Sequence, residues 1–294
     1  MKLVHKILDL HDELLKFRGG EQSIGLVPTM GALHAGHASL VSRSLQENTV
    51  TVVSIFVNPT QFNDKNDLAK YPRTLENDCT LLESLCNAES NLIAFAPSVE
   101  EMYPEEDNRH FSYPPTDEVM EGKYRPGHFN GVCQIVSKLF LAVQPTKAYF
   151  GEKDYQQIAV IKRMVEDQQY PLEICPCPIV REEDGLALSS RNALLSPEEH
   201  DIALNISRVL RESLCYAKEN NLKDTCKWVI DEINKVEGLE VQYYEIVDGD
   251  TLASLNDWED ADSVVGCITV YCGSGPVRLI DNIRYKVGSK NSPF

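Results

Sequence analysis

Up to Val180, short β-branched runs alternate with stretches whose apolar residues recur every three or four positions. The runs are Ile24 to Val27, TVVSIFVN (51–58), Asn91 to Ala96, KAYFG (147–151) and Leu172 to Val180. Near-continuous apolar runs of this length predict strands buried on both faces, as in a parallel sheet. Between them, Leu40, Val41 and Leu45 mark one helix, and Leu75, Cys79, Leu82 and Leu85 a second. A third is predicted over Asp154 to Val165, with Ile158, Ile161 and Val165 on one face. The N-terminal MKLVHKILDLHDELL puts Leu3, Ile7, Leu10 and Leu14 on one helical stripe. This alternation predicts an α/β fold with an open, doubly wound, Rossmann-like parallel sheet. Ligands of such sheets gather at the carboxyl ends of the strands, where His34, Asn58 and Lys153 fall.

The rhythm changes after Val180. Residues 181–192, REEDGLALSSRN, form a polar connection, and Ser196-Pro-Glu-Glu199 reads as a capping box with proline at the first helical position. Ala203, Ile206, Leu210, Leu214 and Ala217 then give a helical face, and a second helix is expected over 222–235. Three strand-like runs follow, at 239–248, 264–272 and 276–283. Helices followed by strands predict a smaller α+β domain, which places a boundary near residue 180: domain 1–180, then domain 181–294.

The 294 residues, 43% hydrophobic and 25% charged, suffice for a substantial core. A formal net charge of -17 argues against a nucleic-acid or anionic-membrane surface. No apolar stretch reaches the ~20 residues of a membrane span, and the N-terminus lacks the pattern of a signal peptide. Nine cysteines without a regular framework fit a reducing cytoplasm. Cys175 and Cys177 have no second pair of matching spacing and are read as buried thiols.

The segment LVPTMGALHAGHASL (26–40) carries the chemistry. An apolar strand passes through a glycine-bearing turn into a helix start that holds His34 and His37. Unpaired backbone N–H groups and the positive end of the helix dipole suit phosphate, and two imidazoles add donors for the same anion. Spacing alone leaves open a metal pair or two solvated histidines.

Further strings join this one in order: PTMGALHAGHASLV, VSIFVNPTQFN, YPRTLENDC, RPGHFNGV, YFGEKDYQQ, GLALSSRN and RLIDNI, spanning residues 28–283. Together they resemble the pantoate–β-alanine ligase family of the H-x-G-H nucleotidyltransferase superfamily. H-x-G-H is shared with other adenylyltransferases, which form the alternative reading, but these usually pair it with a serine-rich helix start and lack NPTQF and GEKDYQQ. The resemblance implies condensation of pantoate with β-alanine to pantothenate, with ATP converted to AMP and pyrophosphate through pantoyl adenylate. A carboxylate is already ionised at neutral pH, so the first step calls for alignment and charge neutralisation more than for a base.

By matching position the resemblance implies that His34, His37 and Lys153 are catalytic. ATP would be held by Met30, His34, His37, Gly151, Lys153, Asp154, Val180, Leu188, Ser189, Ser190 and Arg191, with Ser189 to Arg191 similar to the superfamily's mobile phosphate loop. That loop lacks a lysine here, which leaves more of the charge to Lys153. Gln61 and Gln157, with Met30, would grip pantoate, since neutral amides both donate and accept. Asp78 would serve Mg²⁺, while Arg125 and His128 would shape the site or a dimer contact. A cytoplasmic homodimer is implied in the same way.

Overall fold

The computed structural model describes residues 1–17, 22–62, 68–69 and 71–288; Asn63, at the end of the NPTQFN string, lies outside them. The first part of the chain runs β1 (Lys2–Val4), α1 (Ile7–Leu15), β2 (Ile24–Thr29), α2 (Ala35–Glu47), β3 (Val50–Ile55), α3 (Leu75–Ser84) and β4 (Leu92–Phe95). It continues through two short helices, α4 (Val99–Met102) and α5 (Met120–Tyr124), then α6 (His128–Val143), β5 (Lys147–Gly151), α7 (Tyr155–Asp167) and β6 (Glu173–Cys177). The six strands form one parallel sheet in the order β1-β4-β3-β2-β5-β6. From β2 the chain builds outward through β3 and β4 on one side, then returns to β5 and β6 on the other. The order therefore reverses between β2 and β5, and a crevice opens at their carboxyl ends.

Burial explains the sequence pattern. Val50, Val52 and Val53 of β3 and all of Leu92 to Phe95 of β4 are buried, because helices cover both faces of the sheet. Pro176 is tolerated inside β6 because β6 is an edge strand.

Two expectations needed correction, and one helix was not expected at all. Leu3 belongs to a strand and not to a helical stripe: β1 pairs with β4, with Val4 opposite Phe95, and the helix begins only at Ile7. The strand expected to run to Val180 stops at Cys177, after which Pro178, Ile179 and Val180 leave the sheet. Finally, α6 had no counterpart in the periodicity. Thirteen of its sixteen residues are buried, and its polar residues Asn130, Gln134, Ser137 and Lys138 form only a narrow stripe.

The second part opens with α8 (Pro197–Tyr216) and α9 (Leu222–Asn234), followed by β7 (Leu239–Asp248), β8 (Val264–Cys272) and β9 (Val277–Lys286). The three strands form an antiparallel sheet in chain order. The capping box is present: Ser196 Oγ accepts from Glu199 N and the Glu199 carboxylate accepts from Ser196 N. Such a cap contributes about 1 kcal/mol. Ala203, Ile206, Leu210, Val229 and Ile233 pack with Leu239, Ile246 and Ile268 in a core of their own. A smaller cluster joins the antiparallel sheet to the first part, where Tyr243, Val247 and Val265 meet Met120, Tyr155 and Ala159. Among the described residues no helix is long and apolar enough to cross a membrane.

Candidate active site

The turn between β2 and α2 is shaped by two residues at positive φ, Gly31 (83°) and Ala32 (50°). A Cβ on Gly31 would sit 3.1 Å from Asp78 Oδ2 and 3.2 Å from Ile55 Cγ2, on a backbone that L side chains rarely adopt. Beyond the turn, α2 is capped by its two histidines. His34 Nδ1 accepts from Gly36 N at 3.1 Å, and His37 Nδ1 accepts from His34 N at 3.3 Å. This is a capping box built from imidazoles, and it fixes their tautomers: with each Nδ1 accepting, the proton of the neutral ring sits on Nε2. Both rings stay neutral under ordinary conditions. Burial first, then the Lys153 charge, lowers His34 to about 4. Burial, with His34 and Lys153 behind it, lowers His37 to about 3. The helix end therefore presents two neutral N–H donors instead of two cations.

The residues expected from sequence are brought together around one cavity. Met30, His34, His37, Gln61, Gly151, Lys153, Asp154, Gln157, Val180, Leu188, Ser189, Ser190 and Arg191 all line it. Lys153 lies in the 3-10 turn just after β5, its ammonium 3.3 Å from Asp154 Oδ2. Ser189 caps the short 3-10 turn that follows, accepting from Arg191 N at 3.2 Å. Leu188 N donates to Val180 O at 3.0 Å, which brings those two cavity residues side by side.

Asp78 is the exception. It is 2% exposed and does not line the cavity among the described residues. Its Oδ2 accepts from Ala32 N (3.1 Å), and its Oδ1 accepts from Leu33 N (2.8 Å) and from the Thr74 hydroxyl (3.1 Å). The carboxylate expected beside a metal thus has both oxygens engaged in holding the histidine turn from behind.

Gln61 is oriented by neighbours that sequence reasoning did not assign. Its Oε1 accepts from Asn58 Nδ2 at 3.2 Å, and its Nε2 donates to Met30 Sδ at 2.8 Å. Asn58 is held in turn by Tyr103 Oη and by Gly131 O. A Cβ on Gly131 would fall 2.4 Å from Thr60 O, so α6 can approach this turn only with glycine there. His128 Nδ1 donates to Gln61 O at 2.9 Å and Arg125 reaches the same oxygen at 3.4 Å, so both of these RPGHF residues pack against the Gln61 turn. Gln156 and Gln157 divide their tasks. Gln156 is buried and bonds Thr116 O, Val119 O and Glu121 N, while Gln157 lines the cavity. Tyr71 was also missed; its hydroxyl lies 3.4 Å from Ser190 Oγ. The YPRT string held the signal, without a role attached.

A family model described as pantoate-beta-alanine ligase matches residues 2–284. A pantothenate synthetase of Bacteroides fragilis (strain YCH46) is 64% identical over 286 residues, covering 97% of this chain and 99% of that protein. The crystal structure of pantothenate synthetase from Thermus thermophilus superposes with a TM-score of 0.88 at 40% identity, covering 98% of this chain and 100% of that one. The pantoate-beta-alanine ligase of Francisella tularensis, solved in complex with beta-gamma ATP and beta-alanine, has a TM-score of 0.79 at 36% identity, over 98% and 99% of the two chains. With a family model over nearly the whole chain and near-complete coverage by relatives in sequence and in structure, this chain belongs to the pantoate–β-alanine ligase family, the pantothenate synthetases.

Proposed function

We propose that this chain joins pantoate to β-alanine at the expense of ATP, through a pantoyl adenylate. The observation that carries this reading is the pair of neutral imidazoles capping α2, on the same cavity as Lys153 and the Ser189–Arg191 loop. In the first step a pantoate carboxylate oxygen bonds to the α-phosphorus as the bond to the β-phosphate oxygen breaks and pyrophosphate departs. Charge grows on the phosphoryl oxygens. The Nε2–H groups of His34 and His37, the Lys153 ammonium and the hydroxyls of Ser189 and Ser190 are the donors that would meet it. Gln61 and Gln157 would hold pantoate by amides that leave its carboxylate nucleophilic, with Met30 beside them. In the second step the β-alanine amine attacks the acyl carbon, loses a proton, and AMP leaves. Gly151, Asp154, Val180 and Leu188 frame the adenosine end in this reading, and residues 181–294 act as a lid domain that carries the loop.

ATP enters such reactions with Mg²⁺, which neutralises phosphate charge. The cavity wall offers imidazoles, amides, an ammonium and Asp154, which already faces Lys153, and Asp78 is engaged behind the turn. These residues do not form a protein cage for the ion; phosphate oxygens and water suit it better. A cytoplasmic homodimer belongs to the same proposal, and equilibrium sedimentation tests the dimer.

The deciding experiment is pantoate-dependent exchange of labelled pyrophosphate into ATP, with Mg²⁺ present and β-alanine omitted. Exchange is the expected result. A protein that binds ATP and pantoate yet gives no exchange would overturn the two-step order.

A further inference from the structure

Two loops that carry the proposed phosphate-handling residues are fixed to one point of the antiparallel sheet. Asp281 of β9 receives both arms of Arg181, from Nη1 to Oδ2 at 2.7 Å and from Nη2 to Oδ1 at 2.9 Å. Arg181 opens the hairpin that bridges to Ala187, and Leu188 to Arg191 follow directly. The next residue, Asn282, donates its Nδ2 to the carbonyls of Glu152 (2.7 Å) and Lys153 (3.2 Å). Its backbone N–H donates to Asp281 Oδ1 at 2.8 Å. Two residues further on, Arg284 reaches Glu152 Oε1 at 3.1 Å. Asp281 and Asn282 are 4% and 5% exposed; they do not line the cavity described above but a smaller one beside it, which shares Lys153, Asp154, Gln157 and Arg191 with it.

We infer that Asp281 and Asn282 are a positioning pair that sets the spacing between Lys153 and the Ser189–Arg191 loop for phosphoryl transfer. The inference rests on the adenylation reading above. A fork from Arg181 to a buried carboxylate fixes direction as well as distance. The two N–H groups of one carboxamide are spent on two consecutive carbonyls, so the backbone of Lys153 is held in register with the base of the hairpin. Because both contacts converge on adjacent residues of one strand, the two loops cannot drift apart without breaking one of them. Reactions that need in-line geometry are sensitive to displacements of this kind, about a hundredfold for roughly 1 Å.

The test separates the two partial reactions in the full-length protein. Asp281→Asn and Asn282→Ala should lower the turnover of pantoate-dependent pyrophosphate exchange by about 10- to 100-fold, with a much smaller change in KM for ATP. Aminolysis of supplied pantoyl adenylate by β-alanine should stay close to wild type, since no triphosphate is handled there. Asn282→Asp supplies a signature that general loosening cannot. Its carboxylate would face two carbonyls at neutral pH and regain a donor on protonation, so its deficit relative to wild type should shrink as pH falls. Should Asp281→Asn fail to fold, Arg181→Lys, which keeps the charge and breaks the fork, carries the same expectation. Equal losses in both partial reactions, or unimpaired exchange, would overturn the positioning role. Wild-type protein that does not exchange at all would instead overturn the adenylation reading beneath it.

Discussion

Replacing Asp78 with alanine separates two tasks for one carboxylate. As a metal acid it would matter only when Mg²⁺ and nucleotide are present. As the support of the histidine turn it matters in the protein alone. The structure favours the second: three donors converge on a side chain that is 2% exposed, two of them backbone N–H groups of the turn itself. A hydrogen bond to a charged acceptor is worth about 1.5–3 kcal/mol, and stranding buried donors adds a desolvation cost. These terms overlap and water can enter part of the gap, so a loss of about 3 kcal/mol is expected from total stabilities of about 5–15 kcal/mol. For a chain of this size that corresponds to a fall in Tm of about 5 °C. Asp78→Asn should lose less, because the amide oxygen still accepts while the amide nitrogen opposes one N–H. Thermal unfolding with and without chelator, followed by Mg²⁺ titration of the exchange rate, tests the assignment. An unchanged Tm together with a weakened Mg²⁺ response would refute it and return Asp78 to the metal.

Gly36→Ala would place a methyl group 2.8 Å from His34 Cε1 and 2.9 Å from its Nδ1, so the ring must turn out of its cap. Exchange activity should fall about 10²–10³-fold, as for removal of one preorganised donor, and a variant with wild-type turnover would refute the importance of the imidazole cap. The pKa values of His34 and His37, lowered to about 4 and about 3, imply a definite pH response. Their contribution to stability is fully present above the ordinary value of 6.5 and is lost as pH falls through that range toward 4 and then 3. Histidine NMR should show neither ring titrating near 6.5, and a midpoint there for either one would contradict the cap geometry. Gln157→Ala should weaken pantoate binding more than ATP binding, and calorimetric titration of each ligand alone measures the difference; equal losses would remove its assigned substrate.

Legibility in the sequence tracked how local the physics was. The histidine turn could be read directly because a strand end, glycines and a helix start lie within fifteen residues. The strands of the parallel sheet were visible because burial on both faces writes a continuous apolar run. The bonds from Ala32 N and Leu33 N to Asp78 could not be read from the sequence, because these donors are far away along the chain and a backbone donor has no signature in side-chain identity. The same distance hid the link from Asn58 to Gly131 and the bond from His128 to Gln61. Helix α6 escaped for a different reason: thirteen of its sixteen residues are buried, so only a narrow polar stripe marks its period. RLIDNI stood out as a string, yet nothing along the chain connects Asn282 with Lys153 until β9 packs beside the start of α7.

The charge of the protein and the chemistry of the cavity pose a problem that the histidines help to solve. A chain with a net charge of -17 has to hold an anionic nucleotide. Exposed carboxylates more than about 8 Å away are largely screened at physiological ionic strength, so the local field decides. A cavity lined by many cations would bind triphosphate and product pyrophosphate alike, and tight product binding slows turnover. Here His34 and His37 are held neutral by burial and by Lys153, and they offer N–H donors without adding full charges. Donors of this kind interact most strongly when negative charge concentrates on the oxygens they face, as it would during the proposed transfer of the α-phosphoryl group. Differential binding of that sort accelerates the chemical step without deepening the ground state. Protonating either imidazole would strengthen binding to reactant and product together, which is why their depressed pKa values suit the chemistry as well as the cap.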